Sequence, residues 1–144
     1  MQLRLPLLVL ALMSCRPTAA VLSPVDFRAS VSGADWELVE LRGQPAPLGA
    51  GGRRATLRFD ADTARISGFA GCNRYFGSYT LDDDEPEISF GAVGMTRMAC
   101  SEGMQLESQL AEALSGTSRY TIEAGRLALF DASNPLAVFV RTGR

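Results

Sequence analysis

The sequence predicts a single, mainly β domain: an antiparallel sheet of seven to eight short strands, curled or closed as a barrel, with one helix packed across it. The length of 144 residues is typical of one domain. A composition of 47% apolar and 21% charged residues is ordinary for a protein with a hydrophobic core. Short runs that alternate apolar and polar residues recur along the chain, whereas only one longer run has helical spacing.

The predicted strands begin at Trp36, which alternates with acidic residues and with Leu38 and Leu41. Residues 43–52 contain four Gly and two Pro, which predicts a loop. The alternating runs that follow are rich in aromatic and aliphatic residues, and acidic or glycine-containing turns separate several of them. They predict strands over residues 55–60, 64–69, 75–81 and 87–91, with a further strand over residues 92–98 as an alternative to a loop there.

One helix is predicted over residues 102–114, with Ser101 as its N-cap and Gly116 closing it. Its apolar residues fall on a single stripe, formed by Leu106, Leu110, Ala113 and Leu114. Three more strands complete the sheet, and a tight hairpin turn joins the first two of them. Their predicted ranges are 119–123, 126–131 and 136–142.

The first 14 residues have the pattern of a secretory signal peptide: one early Arg, an apolar run and a small residue before Cys15. The apolar run is about half the roughly 20 residues that a membrane-spanning helix needs. Its end resembles a bacterial lipobox, which implies cleavage before Cys15 and acylation of that residue. Residues 15–34 then form the lipidated Cys and a tether, and residues 35–144 form the folded domain. Cleavage after Ala20 is the alternative, and it would release a soluble periplasmic protein.

The composition excludes several kinds of chemistry. The chain has no His, so His-based triads, His-ligated metal sites and imidazole acid–base steps are excluded. All 14 basic residues are Arg, which also excludes Schiff-base chemistry and a P-loop lysine. The formal net charge of −2 is spread along the chain and argues against a nucleic-acid partner. No cofactor is predicted.

Three motifs carry a family resemblance. They are Gly71-Cys72-Asn73-Arg74, then Thr96-Arg97-Met98-Ala99-Cys100, and finally Glu107 on the predicted helix. Together with the opening Trp36-x-Leu38, they resemble the signature of the META domain family, also called HslJ-like. The resemblance covers residues 35–141.

The resemblance implies a small fold similar to a lipocalin-like barrel. It also implies a bacterial envelope lipoprotein with no general catalytic reaction, and some members are linked to heat or antibiotic stress. Arg16, rather than Asp, follows Cys15. By resemblance to bacterial lipoproteins, this implies an anchor in the outer membrane that faces the periplasm.

Cys72 and Cys100 form an even pair once Cys15 is assigned to the anchor. In an oxidising compartment, such a pair predicts a structural disulfide. The bridge would close a loop of about 29 residues and contribute roughly 3–4 kcal/mol to stability. A reactive thiol at Cys100, close to the helix start, and a zinc site shared with carboxylates are the alternatives.

The residues around the cysteine pair predict a structural cluster. Gly71 permits a tight bend, and Asn73 satisfies backbone groups at the turn. Glu107 lies beside the apolar stripe and therefore needs a partner, for which Arg74 and Arg97 are candidates. A surface recognition patch at the same place is the alternative. The six residues of the motif are Gly71, Asn73, Arg74, Thr96, Arg97 and Glu107.

We expect a non-enzymatic, lipid-anchored monomer that supports envelope stress tolerance by binding or scaffolding a protein or an apolar small molecule. The first alternative is a periplasmic carrier or sensor with a ligand inside the barrel. The second is a hydrolase that uses Asp60 or Glu107 as acid or base. The aromatic residues that line the barrel in the carrier hypothesis are Phe59, Phe69, Tyr75, Phe76, Tyr79, Phe90, Phe130 and Phe139.

Overall fold

Strands form where the sequence alternates, because alternate side chains of a strand point to opposite faces of the sheet. A computed structural model describes residues 24–143, and that range contains ten strands, two α-helices and one short 3-10 helix (Ala50–Gly52). The α-helices are α1 (Pro24–Val31) and α2 (Met104–Gly116). The strands are β1 (Asp35–Leu41), β2 (Gln44–Pro45), β3 (Thr56–Asp60), β4 (Arg65–Phe69), β5 (Arg74–Leu81), β6 (Ile88–Phe90), β7 (Gly94–Met95), β8 (Arg119–Glu123), β9 (Arg126–Phe130) and β10 (Pro135–Thr142).

Eight strands follow one another in the order β6-β5-β4-β3-β1-β10-β9-β8, while β2 pairs with β1 and β7 pairs with β5. The paired strands are antiparallel. The two ends of the series approach each other, since the Ile88 N–H donates to the Ser118 carbonyl at 3.1 Å. The Tyr120 N–H likewise donates to the Pro86 carbonyl at 3.1 Å. The sheet is therefore a nearly closed barrel, which confirms the predicted fold class.

Burial follows the alternation and fills the barrel with apolar side chains. On β5, for example, Tyr75 and Tyr79 are buried, whereas Arg74, Phe76 and Ser78 point outward. Core side chains of neighbouring strands include Trp36, Leu38, Leu57, Ile66, Leu127, Leu129 and Phe139. No helix within residues 24–143 has the length and hydropathy that crossing a bilayer requires.

Helix α2 closes one end of the barrel, where β1 and β4 end and β10 begins; we call this the α2 end. Its predicted apolar stripe is buried against the strands. The helix begins at Met104, and Gly103 is its N-cap, with no side-chain cap hydrogen bond. The predicted cap at Ser101 is therefore wrong. Gly103 has a left-handed backbone (φ 88°) that turns the chain into the helix, which therefore begins two residues after its predicted start at residue 102.

A Ser101→Ala substitution tests this correction. We expect the free energy of unfolding to stay within about 0.5 kcal/mol of wild type, because Ser101 is exposed and caps no helix. Urea unfolding followed by circular dichroism measures the difference. A loss of about 1 kcal/mol or more would instead indicate an N-cap at Ser101.

Helix α1 lies at the opposite end of the barrel, where β1 begins and β3 and β10 end; we call this the α1 end. Phe27 and Val31 are one helical turn apart, and both side chains are fully buried. Residues 24–34, which the sequence analysis assigned to the tether, therefore belong to the folded domain. This finding corrects the predicted domain boundary at residue 35. The predicted signal peptide, Cys15 and the first part of the tether lie outside the described residues.

Candidate functional site

The side chain of Asn73 joins three separate segments at the α2 end. It lies in the turn between β4 and β5 and is 2% exposed. Its carbonyl oxygen accepts hydrogen bonds from the Thr96 hydroxyl at 3.0 Å and from the Met98 N–H at 2.6 Å. Its amide group donates to the Met98 carbonyl at 3.2 Å and to Glu107 Oε1 at 3.0 Å. Asn73 thus links its own turn to the segment after β7 and to helix α2.

Glu107 is held by Asn73 and not by an arginine. In addition to the amide bond at Oε1, its Oε2 accepts the Asn73 backbone N–H at 2.6 Å. The predicted ion pair of Glu107 with Arg74 or Arg97 is therefore wrong. Arg74 does not pair with Glu107 because β5 directs the Arg74 side chain to the outer face of the sheet. The Glu107 carboxylate instead lies against the turn between β4 and β5. Within residues 24–143, both arginine side chains are exposed and have no ion pair.

Cys72 and Cys100 are joined by a disulfide, with their Cα atoms 5.8 Å apart. The bridge attaches the end of the segment after β7 to the same turn that holds Asn73. The predicted disulfide is confirmed, and it consumes the two sulfur atoms that a reactive thiol or a zinc site would need. The described part of the chain contains no group of three or more acidic or Cys side chains suited to a metal ion.

Three glycines allow the backbones around this turn to touch. A Cβ added to Gly103 would lie 2.1 Å from the Gly71 carbonyl oxygen, and one added to Gly49 would lie 2.3 Å from it. The same oxygen accepts the Ala50 N–H at 2.7 Å. Of these three glycines, only Gly71 was predicted from the sequence to permit a tight bend. Gly103 could have been identified from its position just before the apolar stripe of the helix, where a glycine N-cap is an alternative to Ser101.

A groove of about 670 Å³ opens beside this cluster, between residues 93–99 and the first turn of α2. Met98 and Met104, two of its lining side chains, are 56% and 46% exposed. Arg97 also lines it, so an apolar thioether surface lies next to a positive charge. We call this the Met98 groove. Its lining also includes Met95, Thr96, Asn73 and Glu107.

The two carboxylates of the hydrolase hypothesis do not share a site. Asp60 is the exposed last residue of β3, at the α1 end, whereas Glu107 lies at the α2 end. The Asp60 carboxylate accepts backbone N–H bonds from Asp62 and Thr63, both at 3.1 Å. The bonds from Thr63 and Asp62 lower the pKa of Asp60. Asp60 therefore has the role of a turn residue that stabilises its own loop.

The aromatic residues of the carrier hypothesis are divided between the interior and the surface. Phe76 is 51% exposed on the outer face of β5, so its predicted place inside the barrel is wrong. Phe69 is buried at the end of β4 beneath the Arg53 guanidinium, whose carbon lies 3.9 Å from the ring centre. Phe90 and Phe130 are half-buried. The members buried with the core cluster are Phe59, Tyr75, Tyr79 and Phe139.

Comparison with known proteins adds a family and several related folds. The family model described as META domain matches residues 29–143. A solved structure described as a protein from Burkholderia xenovorans is 28% identical, with a TM-score of 0.65 over 90% of this chain and 98% of that one. A DUF4847 family protein from Bacteroides vulgatus shares the fold at 13% identity, with a TM-score of 0.57 over 82% of this chain and 99% of that one. None of the curated proteins matches this chain.

Proposed function

The chain belongs to the META domain family, and we propose that it is a non-enzymatic envelope lipoprotein that acts by binding a partner in the Met98 groove. The observation that carries this proposal is the groove itself. It places two half-exposed Met side chains beside Arg97, on a base that the disulfide and Asn73 hold together.

The chemistry of the groove suits a partner with an apolar group next to a negative charge. Met side chains are flexible and polarizable, and they adapt to differently shaped apolar groups. Arg42, Arg58 and Arg126 on the barrel each pair with an acidic residue. Arg97 forms no such pair among the described residues, so an acidic partner can supply one. A rigid base also lowers the ordering cost of binding.

The location in this proposal follows from the sequence before the barrel. Cleavage before Cys15 and acylation of that residue would anchor the protein in the outer membrane, facing the periplasm. The disulfide supports an oxidising compartment, since such bonds rarely persist in the cytosol. The contribution to heat or antibiotic tolerance would then come from the partner bound in the groove.

A Met98→Glu/Met104→Glu variant tests the groove. We expect it to fail to restore heat or antibiotic tolerance in a strain that lacks the protein, because two carboxylates remove the apolar surface and reverse its charge. Leu48→Glu is the matched control: Leu48 is also about half exposed but lies outside the groove. Immunoblots and thermal melts confirm equal levels and folding. Full tolerance with the double variant would contradict the proposal.

The anchor has a separate test, the intact mass of the protein extracted from its native membranes. Acyl mass on a chain that begins at Cys15 supports the lipoprotein assignment. An unmodified chain that begins at Val21 would contradict the anchor and leave the groove proposal in place.

A further inference from the structure

Helix α1 fills part of the barrel interior with its own aromatic side chain. The Phe27 ring centre lies 4.4 Å from that of Tyr120, 5.4 Å from that of Phe59 and 6.2 Å from that of Tyr79. These three residues belong to β8, β3 and β5, which are not neighbours in the barrel. Phe27 therefore lies across the interior, and without α1 this aromatic-walled space would be open.

Two hydrogen-bonding groups in the core have no partner within residues 24–143. They are the indole Nε1–H of Trp36 and the hydroxyl of Tyr79, on side chains that are 1% and 4% exposed. A buried polar group without a hydrogen-bond partner lowers the stability of the fold, and native proteins rarely contain one. Phe27, whose ring lies near that of Tyr79, offers it no acceptor. A molecule with an oxygen acceptor in the place of Phe27 can supply one.

The attachment of α1 suits a segment that can leave and return. An isolated helix of eight residues is unstable in water, so α1 depends on its contacts with the barrel. The Arg141 guanidinium on β10 donates to the Ser30 carbonyl, and Ser32 forms a bridge with Phe59. Gly33 follows directly, with a left-handed backbone (φ 66°) and open space around it. Rotation at Gly33 can therefore move α1 as a unit.

We propose that α1 occupies a binding site for a single-chain amphiphile whose polar end carries an oxygen acceptor, such as a fatty acid. The chain takes the place of Phe27 against Phe59, Tyr79 and Tyr120. The head-group oxygen accepts a hydrogen bond from the Tyr79 hydroxyl. This site is separate from the Met98 groove, so it does not depend on the function proposed above.

Competition between α1 and the ligand gives the proposal a quantitative signature. When the binding-competent state is a minor fraction, the apparent dissociation constant is the intrinsic one divided by that fraction. A change that weakens only the docking of α1 must then tighten ligand binding by the same factor. Arg141→Ala weakens this docking, because it removes the hydrogen bond to Ser30. The Arg141 guanidinium also lies 5.6 Å from the centre of the Trp36 ring, so affinity is taken from the midpoint of the titration and not from the size of the fluorescence change.

The experiment is a titration of the purified full chain with dodecanoate below its micelle concentration, followed by the fluorescence of Trp36, the single Trp. We expect saturable binding, about fivefold tighter in Arg141→Ala, as loss of one hydrogen bond of about 1 kcal/mol predicts. Arg126→Ala is the matched control, since it removes an exposed ion pair with Glu40 and leaves α1 untouched. It should bind as wild type does.

Two further readouts separate this site from binding elsewhere. Saturation with dodecanoate should increase hydrogen exchange of the α1 amides and leave α2 protected. Dodecyltrimethylammonium, which has the same chain without an oxygen acceptor, should bind at least about tenfold more weakly. The proposal is overturned if dodecanoate fails to bind, if Arg141→Ala and Arg126→Ala have equal affinities, if α1 exchange is unchanged, or if both amphiphiles bind alike.

Discussion

An Asn73→Asp variant should lose about 3–5 kcal/mol of unfolding free energy at neutral pH. The substitution changes one group, replacing the amide that donates to Glu107 Oε1 at 3.0 Å with a second carboxylate oxygen. Two carboxylates would then face each other in a buried cluster, and the bond to the Met98 carbonyl would also be lost. Chemical denaturation at pH 7 measures the loss.

The pH dependence of the same variant identifies the cause. At low pH the introduced carboxyl binds a proton, and its O–H can donate to Glu107 where the amide did. The folded variant binds this proton more readily than the unfolded chain, so its deficit relative to wild type should shrink towards pH 4 and grow as pH rises. Asn134→Asp, in an exposed turn beside Asp131, is the control and should stay within about 0.5 kcal/mol of wild type. Equal stability of the two variants at pH 7 would contradict the role of Asn73.

Loss of the Cys72–Cys100 disulfide should lower the unfolding free energy by about 3–4 kcal/mol. The bridge spans 28 positions, so reduction releases a loop of about 29 residues in the unfolded chain. For a domain of this size, the loss corresponds to a melting temperature lower by about 10–15 °C. Thermal melts with and without dithiothreitol measure the shift.

A Cys72→Ser/Cys100→Ser double variant provides the control for this second prediction. It should melt near the temperature of the reduced wild type and should not respond to dithiothreitol. A wild-type protein whose melting temperature is unchanged by complete reduction, verified by alkylation and mass, would show that the bridge contributes nothing to stability.

Sequence reasoning was most successful where a local pattern alone decides the structure. Strand β8 occurs at its predicted residues, and β9 and β10 differ from theirs by one residue, because alternation and tight turns are local signals. Helix α1 was missed for the same reason. Among residues 26–31, Phe27 and Val31 mark its buried face, which is too little for a helical period. Their burial depends on a barrel formed by residues far along the chain.

In the candidate site, too, features set by local sequence were predicted, and features set by contacts between distant residues were not. The motif residues around the cysteines and the disulfide were identified from the sequence, whereas the partner of Glu107 was not. Opposite charge favoured an arginine, but the turn after β4 brings the amide of Asn73 to the carboxylate and sends Arg74 outward. Gly103 was not predicted as part of the site, because its role depends on the position at which α2 begins.

The two helices close opposite ends of the barrel, so a lipid anchor before α1 would fix the orientation of the barrel relative to the membrane. Only eight residues separate Cys15 from Pro24, a stretch that spans at most about 30 Å. In the proposed lipoprotein, the end closed by α1 would therefore stand over the bilayer, while the Met98 groove would face outward, away from the lipid. An amphiphile could then pass from the membrane into the barrel without crossing bulk water, and a protein partner could approach from the other side at the same time.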